Sequence, residues 1–138
     1  MKFNSLIPEL SVSDINISKK FYLDILGFKL EYERNQDKFA FISYEDAQIM
    51  LEEINGHWNT DKLEYPLGRG INFQIDTTDI DSLIKRLKLN NIKLFRDLMI
   101  SEYNCDGNIY IEKEILVQDT DGYLLRFSQS VQANNINT

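Results

Sequence analysis

The chain carries one pattern twice. Leu10-Ser11-Val12-Ser13-Asp14-Ile15 opens an apolar-periodic stretch that closes at Leu26-Gly27-Phe28-Lys29-Leu30. Ile75-Asp76-Thr77-Thr78-Asp79-Ile80 opens a second, which closes at Asn91-Ile92-Lys93-Leu94. Asp14 and Asp79 stand 65 positions apart, so two units, about 1–66 and 67–130, fill a single domain over residues 1–130. A unit that occurs twice must fold twice in the same way, and each half must bury its apolar face. The polar, Asn-rich stretch 131–138 is left over and is expected to be a flexible tail.

Each unit reads strand, helix, then several strands. In the first helix Ile15, Ser18, Phe21, Tyr22, Ile25 and Leu26 share one face at helical spacing. Ser13 or Asp14 can cap its start, and Gly27 stops it. In the second helix Ile80, Leu83, Ile84 and Leu87 form the stripe, Thr78 or Asp79 caps it, and Asn91 ends it. Strands are expected near 4–12, 28–34, 38–44, 47–54, 70–77, 93–103, 109–118 and 123–130. Asp119-Thr120-Asp121-Gly122 is a tight turn, with Gly122 free to take positive φ. Residues 55–69 read as a loop, and Gly68-Arg69-Gly70 within it as a linker; no Lys-Ser or Lys-Thr follows to make a phosphate loop.

Alternation along the strands assigns the faces. Ile71, Phe73 and Ile75 oppose Asn72, Gln74 and Asp76; Pro8, Leu10 and Val12 oppose Ile7, Glu9 and Ser11; Ile49 and Leu51 oppose Gln48, Met50 and Glu52. One face is therefore apolar and covered by the two helices, and the other is mixed polar, wet or ligand-holding. The fold class is α+β: paired βαβββ modules forming an open, curved mixed sheet with a polar concave face.

Charge narrows the partners. The 22 acidic and 15 basic residues give a net charge of −7, which argues against nucleic acid and anionic membranes and suits a cation or plain solubility. His57 is the one histidine, so no single chain supplies a site of two or three. Cys105 has no second cysteine to pair with and reads as a bystander. There is no 18-residue apolar run, and residues 1–20 lack the apolar core of a secretion signal, so a cytoplasmic protein is expected.

Both ends of the repeat resemble a known family. Ile7-Pro8-Glu9-Leu10-Ser11-Val12-Ser13-Asp14, Phe21-Tyr22 and Leu26-Gly27-Phe28 are similar to the opening of the vicinal oxygen chelate superfamily, which includes glyoxalase I, extradiol dioxygenases and the fosfomycin and bleomycin resistance proteins. Asp119-Thr120-Asp121-Gly122-Tyr123-Leu124-Leu125-Arg126-Phe127 resembles its closing turn and strand. The resemblance covers about residues 5–130 and implies paired βαβββ modules forming a cup. In enzymes of that superfamily four strand positions hold a divalent metal; here they fall on Ile7, Met50, about Gly70, and Arg126. Ile, Met and Gly offer no hard donor and Arg126 brings a positive charge, so no metal and no other cofactor is expected.

What remains resembles the branch that binds without catalysing, the bleomycin resistance proteins, whose dimers sequester a cationic glycopeptide in clefts at their interface. That resemblance implies a homodimer and places drug-contacting positions on Glu31, Tyr32 and Phe39. An interface tryptophan of that branch falls at about Tyr110, where a ring is kept and an indole is lost. The residues also admit plainer roles. Tyr32, Phe39, Trp58 and Tyr110 either stack on a ligand's rings or fill the core and an interface. Glu9, Glu52 and Asp76 share the expected concave face and either hold a cation or are solvated. Arg126 either clamps a ligand carboxylate or phosphate, or pairs internally with Glu52 or Asp76. His57 and Trp58 form a flap over the cleft or an ordinary surface loop.

The expected function is non-catalytic binding of a cationic aromatic antibiotic such as bleomycin, with no nucleic-acid or membrane partner. The alternatives are a metal-dependent lyase or isomerase of the same superfamily using unrecognised carboxylates, and a binding protein for another amphipathic metabolite.

Overall fold

A computed structural model describes residues 1–133. The chain divides into two compact units: Met1–Arg69 with Asp119–Tyr123, and Gly70–Gln118 with the chain from Leu124 onward. Each has its own four-stranded mixed sheet and its own helix, an α+β architecture in which a strand, a helix and three strands occur twice.

In the first unit β1 (Glu9–Val12) is followed by α1 (Ile15–Lys19), then β2 (Lys29–Arg34), β3 (Phe39–Tyr44) and β4 (Ala47–Glu53). The sheet order is β1-β4-β3-β2; β1 runs parallel to β4 and the other pairs are antiparallel. Asp14 caps α1, its carboxylate accepting from the backbone N–H of Asn16 at 2.9 Å and of Ile17 at 3.2 Å. The chain then winds more loosely, as a π-helix over Lys20–Ile25, and the Leu26 N–H reaches back five residues to the Phe21 carbonyl. Ile15, Phe21, Tyr22 and Leu26 are all buried, as are Leu10 and Val12 of β1, Ala40 and Ile42 of β3, and Ile49 and Leu51 of β4. Burying each large side chain of this set contributes about 1.5–3 kcal/mol before chain entropy is subtracted.

In the second unit β5 (Asn72–Asp76), α2 (Ile80–Leu89), β6 (Arg96–Cys105), β7 (Asn108–Gln118) and β8 (Leu124–Gln132) follow. The order is β5-β8-β7-β6, with β5 parallel to β8. Asp79 caps α2 through the Ser82 N–H at 3.1 Å, and Asn91 takes a left-handed φ of 56° just beyond its end. Ile80, Leu83 and Leu87 are buried, together with Ile75, Ile115, Val117, Leu125 and Phe127. All ten residues of β6, the edge strand, are exposed.

Four expectations need correction. The first strand begins at Glu9, not residue 4: Pro8 has no N–H to give, so only its carbonyl meets Met50, at 2.9 Å, and the ladder starts after it. The first helix is not α-helical throughout. β6 starts at Arg96 rather than 93. β8 continues through Val131 and Gln132, paired with Ile111 and Tyr110, so those two residues belong to the sheet; Ala133 follows, and residues 134–138 of the expected tail lie outside the described residues. Among the described residues no helix is long and apolar enough to cross a membrane.

Candidate functional site

The face of the first sheet turned away from α1 is not simply polar. Residues paired across a sheet share a face, and the register places Tyr32 opposite Phe41, Arg34 opposite Phe39, and Phe39 opposite Glu52. Met50 lies opposite both Phe41 and Glu9, and Glu52 opposite Ser11. β3 is consequently apolar on both faces, with Phe39 at 3% and Phe41 at 1% exposure.

The rings form a continuous layer. Tyr32 stacks on Phe41 with centroids 5.2 Å apart and planes at 13°, and lies tilted against Phe39 at 5.9 Å. Phe3 meets Phe41 edge-on at 5.4 Å. The Arg34 guanidinium covers Phe39, its carbon 4.0 Å from the ring centroid. Phe3, 54% exposed, and Tyr32, 36% exposed, are the open members of the layer.

Acids rim this layer. Burial, and then the charge of Glu52, raise the Glu9 carboxyl above its ordinary value, while Arg34 pulls it down. One oxygen of Glu52 accepts from the Trp58 indole N–H at 3.2 Å and from the Asn55 amide at 3.0 Å. Trp58 is otherwise exposed, at 63%. Glu52, Asn55 and His57 line a cleft of about 500 Å³ with Lys38, whose ammonium pairs with Glu53 at 2.9 Å. Chemically the face offers flat rings for stacking and carboxylates for a cation.

Of the expected site residues, Tyr32, Phe39, Glu52 and Trp58 come together here. Glu31, on the same strand, accepts from Ser43 Oγ at 3.0 Å and pairs with Lys29 at 3.4 Å. Asp76, Tyr110 and Arg126 belong to the second unit. Asp76 is exposed at the end of β5. Tyr110 stacks on Tyr103 at 5.4 Å and 17°. Arg126 pairs with neither Glu52 nor Asp76: its guanidinium meets Glu114 Oε2 at 3.1 Å and donates to Asn72 Oδ1 at 3.2 Å, and Ser128 Oγ donates to the same Glu114 oxygen at 2.9 Å.

The sequence profile of the Glyoxalase/Bleomycin resistance protein/Dioxygenase superfamily matches residues 3–127. The chain belongs to this superfamily. Among its curated relatives is the lactoylglutathione lyase of Haemophilus influenzae, 29% identical over 88% of this chain and 88% of the relative. A bleomycin resistance protein of Geobacillus stearothermophilus is 28% identical over 92% and 97%. The crystal structure of TioX from Micromonospora sp. shares the fold, with a TM-score of 0.71 at 15% identity, covering 94% of this chain and all (100%) of that one.

Enzymes of the superfamily use a divalent metal, and the residues here do not fit one. Ile7 is an alkyl side chain, Met50 a soft thioether, Gly70 has no side chain, and Arg126 is already engaged with Glu114. Among the described residues no three His, Cys, Asp or Glu side chains stand grouped to hold an ion.

Sequence reasoning missed Arg34 and Phe3. Arg34 lies two residues after Tyr32 on the same strand, so the period of two puts both on one face. For Phe3 there was no such signal, because it precedes the strand and reaches Phe41 through the path of the N-terminal segment.

Proposed function

We propose that the protein binds a cationic, aromatic small molecule of the bleomycin type without altering it, and protects by stoichiometric sequestration. The observation that carries this reading is the ring layer of the first sheet, with Tyr32 open over Phe41 and the carboxylates of Glu9 and Glu52 beside it. A flat cationic group stacks on the rings and finds its countercharge at the rim. Trp58 stands at the lip of the same face through its bond to Glu52. The chain's charge of −7 favours approach of a cation.

The reading includes a homodimer in the cytoplasm, with a second copy completing the cleft. The β6–β7 hairpin supports it: Ile100 is 63% exposed and Ile109 48%, an apolar surface that suits a partner chain better than water. Tyr110 and Tyr103 lie on that hairpin and extend the supply of rings. Glu31 and Arg126 are secondary contacts, each already held by partners of its own, and Asp76 is a secondary contact exposed at the end of β5.

A second reading, a metal-dependent lyase, rests on the similarity to lactoylglutathione lyases, which matches that to the resistance proteins. The donor set argues against it. Calorimetric titration with metal-free bleomycin separates the two. The expected result is saturable binding with the antibiotic recovered intact. Absence of binding up to millimolar drug, or tight retention of one divalent ion per chain with turnover of a glutathione hemithioacetal, overturns the resistance reading.

A further inference from the structure

Taking the open face of the first sheet as the ligand face, we infer that Arg34 is its specificity-determining residue: the guanidinium holds the place of the ligand's planar cation on Phe39, and such a cation binds by displacing it. The guanidinium carbon lies 4.0 Å from the Phe39 centroid and 5.9 Å from that of Tyr32. Phe39 is only 3% exposed although it lies on the sheet face opposite the helix. Its ring face is thus covered by a flat monovalent cation of the chain's own, with the size and charge of an amidinium or a guanidinium.

The cover is weakly held. Among the described residues its ion pair joins Arg34 Nε to Asp37 Oδ2 at 3.2 Å, three residues on in the chain, and both side chains are about half exposed, 45% and 52%. Exposed pairs of this kind stabilise little, so the side chain can swing out without disturbing the strand. Arg34 is also part of the charge balance. Glu9 and Glu52 lie on the same face; burial, and then the charge of Glu52, raise the Glu9 carboxyl, and Arg34 lowers it. When Arg34 leaves, Glu9 loses the cation that lowers its carboxyl while the neighbouring charge of Glu52 stays. An incoming planar cation restores the balance, a neutral ring of the same shape does not, and an anion adds to the repulsion. Selection therefore lies in the exchange, and Arg34 lowers the apparent affinity by occupying the place for most of the time.

The test uses benzamidinium as the planar cation and benzamide as its neutral counterpart, titrated into the wild type, Arg34→Ala and the double variant Arg34→Ala/Phe39→Leu, with the aromatic ring resonances followed by NMR. Benzamidinium is expected to bind Arg34→Ala about fivefold more tightly than the wild type, the size of an exposed cation–π contact. Benzamide is expected to bind both equally, and the double variant to lose the gain. Unchanged melting of Arg34→Ala checks that the fold is intact. Equal benzamidinium affinity in wild type and Arg34→Ala, or absence of binding to both, overturns the inference. If bleomycin fails to bind while the benzamidinium pattern appears, the antibiotic reading falls and the exchange at Phe39 stands.

Discussion

The Tyr22 hydroxyl donates to the Asp119 carboxylate at 2.6 Å, joining the first helix to the closing turn across 97 positions of sequence. Tyr22 is fully buried and Asp119 is 4% exposed. The other Asp119 oxygen accepts from the backbone N–H of Asp121 and of Tyr123, both at 2.9 Å. Burial outweighs these bonds and pushes the carboxyl up to about 6 from an ordinary 3.8. A raised value means that the folded chain holds the proton more tightly than the unfolded one. The group therefore favours folding most below pH 3.8, and this is lost as pH rises through 6. Against Asp119→Asn, which does not titrate, the wild type is expected to lose relative stability between pH 4 and 6, by on the order of 2–3 kcal/mol, and to run parallel above pH 7. Urea unfolding of both proteins across that range checks the sign.

Tyr22→Phe removes one donor from the same carboxylate and leaves its burial unchanged. Loss of a buried hydrogen bond to a charged acceptor is expected to cost about 1.5–3 kcal/mol at pH 7. Below pH 5, where Asp119 is protonated, the cost should shrink. A cost independent of pH, measured by the same unfolding, would place the tyrosine's contribution in packing alone.

Gly122 closes the turn with φ +94°, a conformation that L side chains rarely adopt. A Cβ there would stand 2.5 Å from Pro66 Cβ and 2.7 Å from Pro66 Cα, and the latter is backbone that cannot step aside. Strain and overlap together are expected to cost Gly122→Ala about 2–4 kcal/mol, seen as a fall in urea midpoint at unchanged slope.

The Glu114 carboxylate, 8% exposed, is held by Arg126 and Ser128. Arg126→Ala strands the carboxylate. The bridge is partly open on the arginine side, at 32%, so the expected cost is about 1–3 kcal/mol, below that of a fully buried pair. Glu114→Gln in the Arg126→Ala background should recover most of it, because no buried charge then lacks a partner. Thermal melting of the wild type, Arg126→Ala and the double variant reads the loss and its recovery.

Much of this was legible in the sequence, for local reasons. Asp14 and Asp79 announce helix starts because a carboxylate next to orphan N–H groups works within three residues, and Gly122 announces a turn because a positive φ excludes other residues. The alternation at Glu9–Val12 and Ala47–Glu53 assigned faces correctly because the strand period is two. What depends on register was not legible. Nothing in the chain says that Arg126 faces Glu114, since this requires Leu116 to pair with Arg126 and Glu114 with Ser128. The π winding after Lys19 was hidden as well, because a stripe of Phe21, Tyr22, Ile25 and Leu26 suits either winding. At the candidate site Tyr32, Phe39, Glu52 and Trp58 were named from the sequence, yet the cover on Phe39 was not, because a strand arginine reads as a solvated charge until a ring is found beneath it.

That cover decides which substitution probes the ligand. Tyr32 is 36% exposed and lies on top of Phe41, so Tyr32→Ala removes a stacking surface without opening a cavity. Its stability cost should stay near 1 kcal/mol, while bleomycin affinity falls by up to about tenfold, the upper end of one aromatic contact. Phe39, at 3%, is part of the packed sheet. Phe39→Ala is expected to cost about 3–5 kcal/mol in folding and confounds any loss of binding. Calorimetric titration of Tyr32→Ala, paired with urea unfolding of both variants, checks this division. If Tyr32→Ala binds bleomycin as the wild type does, the ring layer of the first sheet is not where the antibiotic stacks. The Tyr103–Tyr110 pair of the second unit, with centroids 5.4 Å apart, would then be the next surface to truncate.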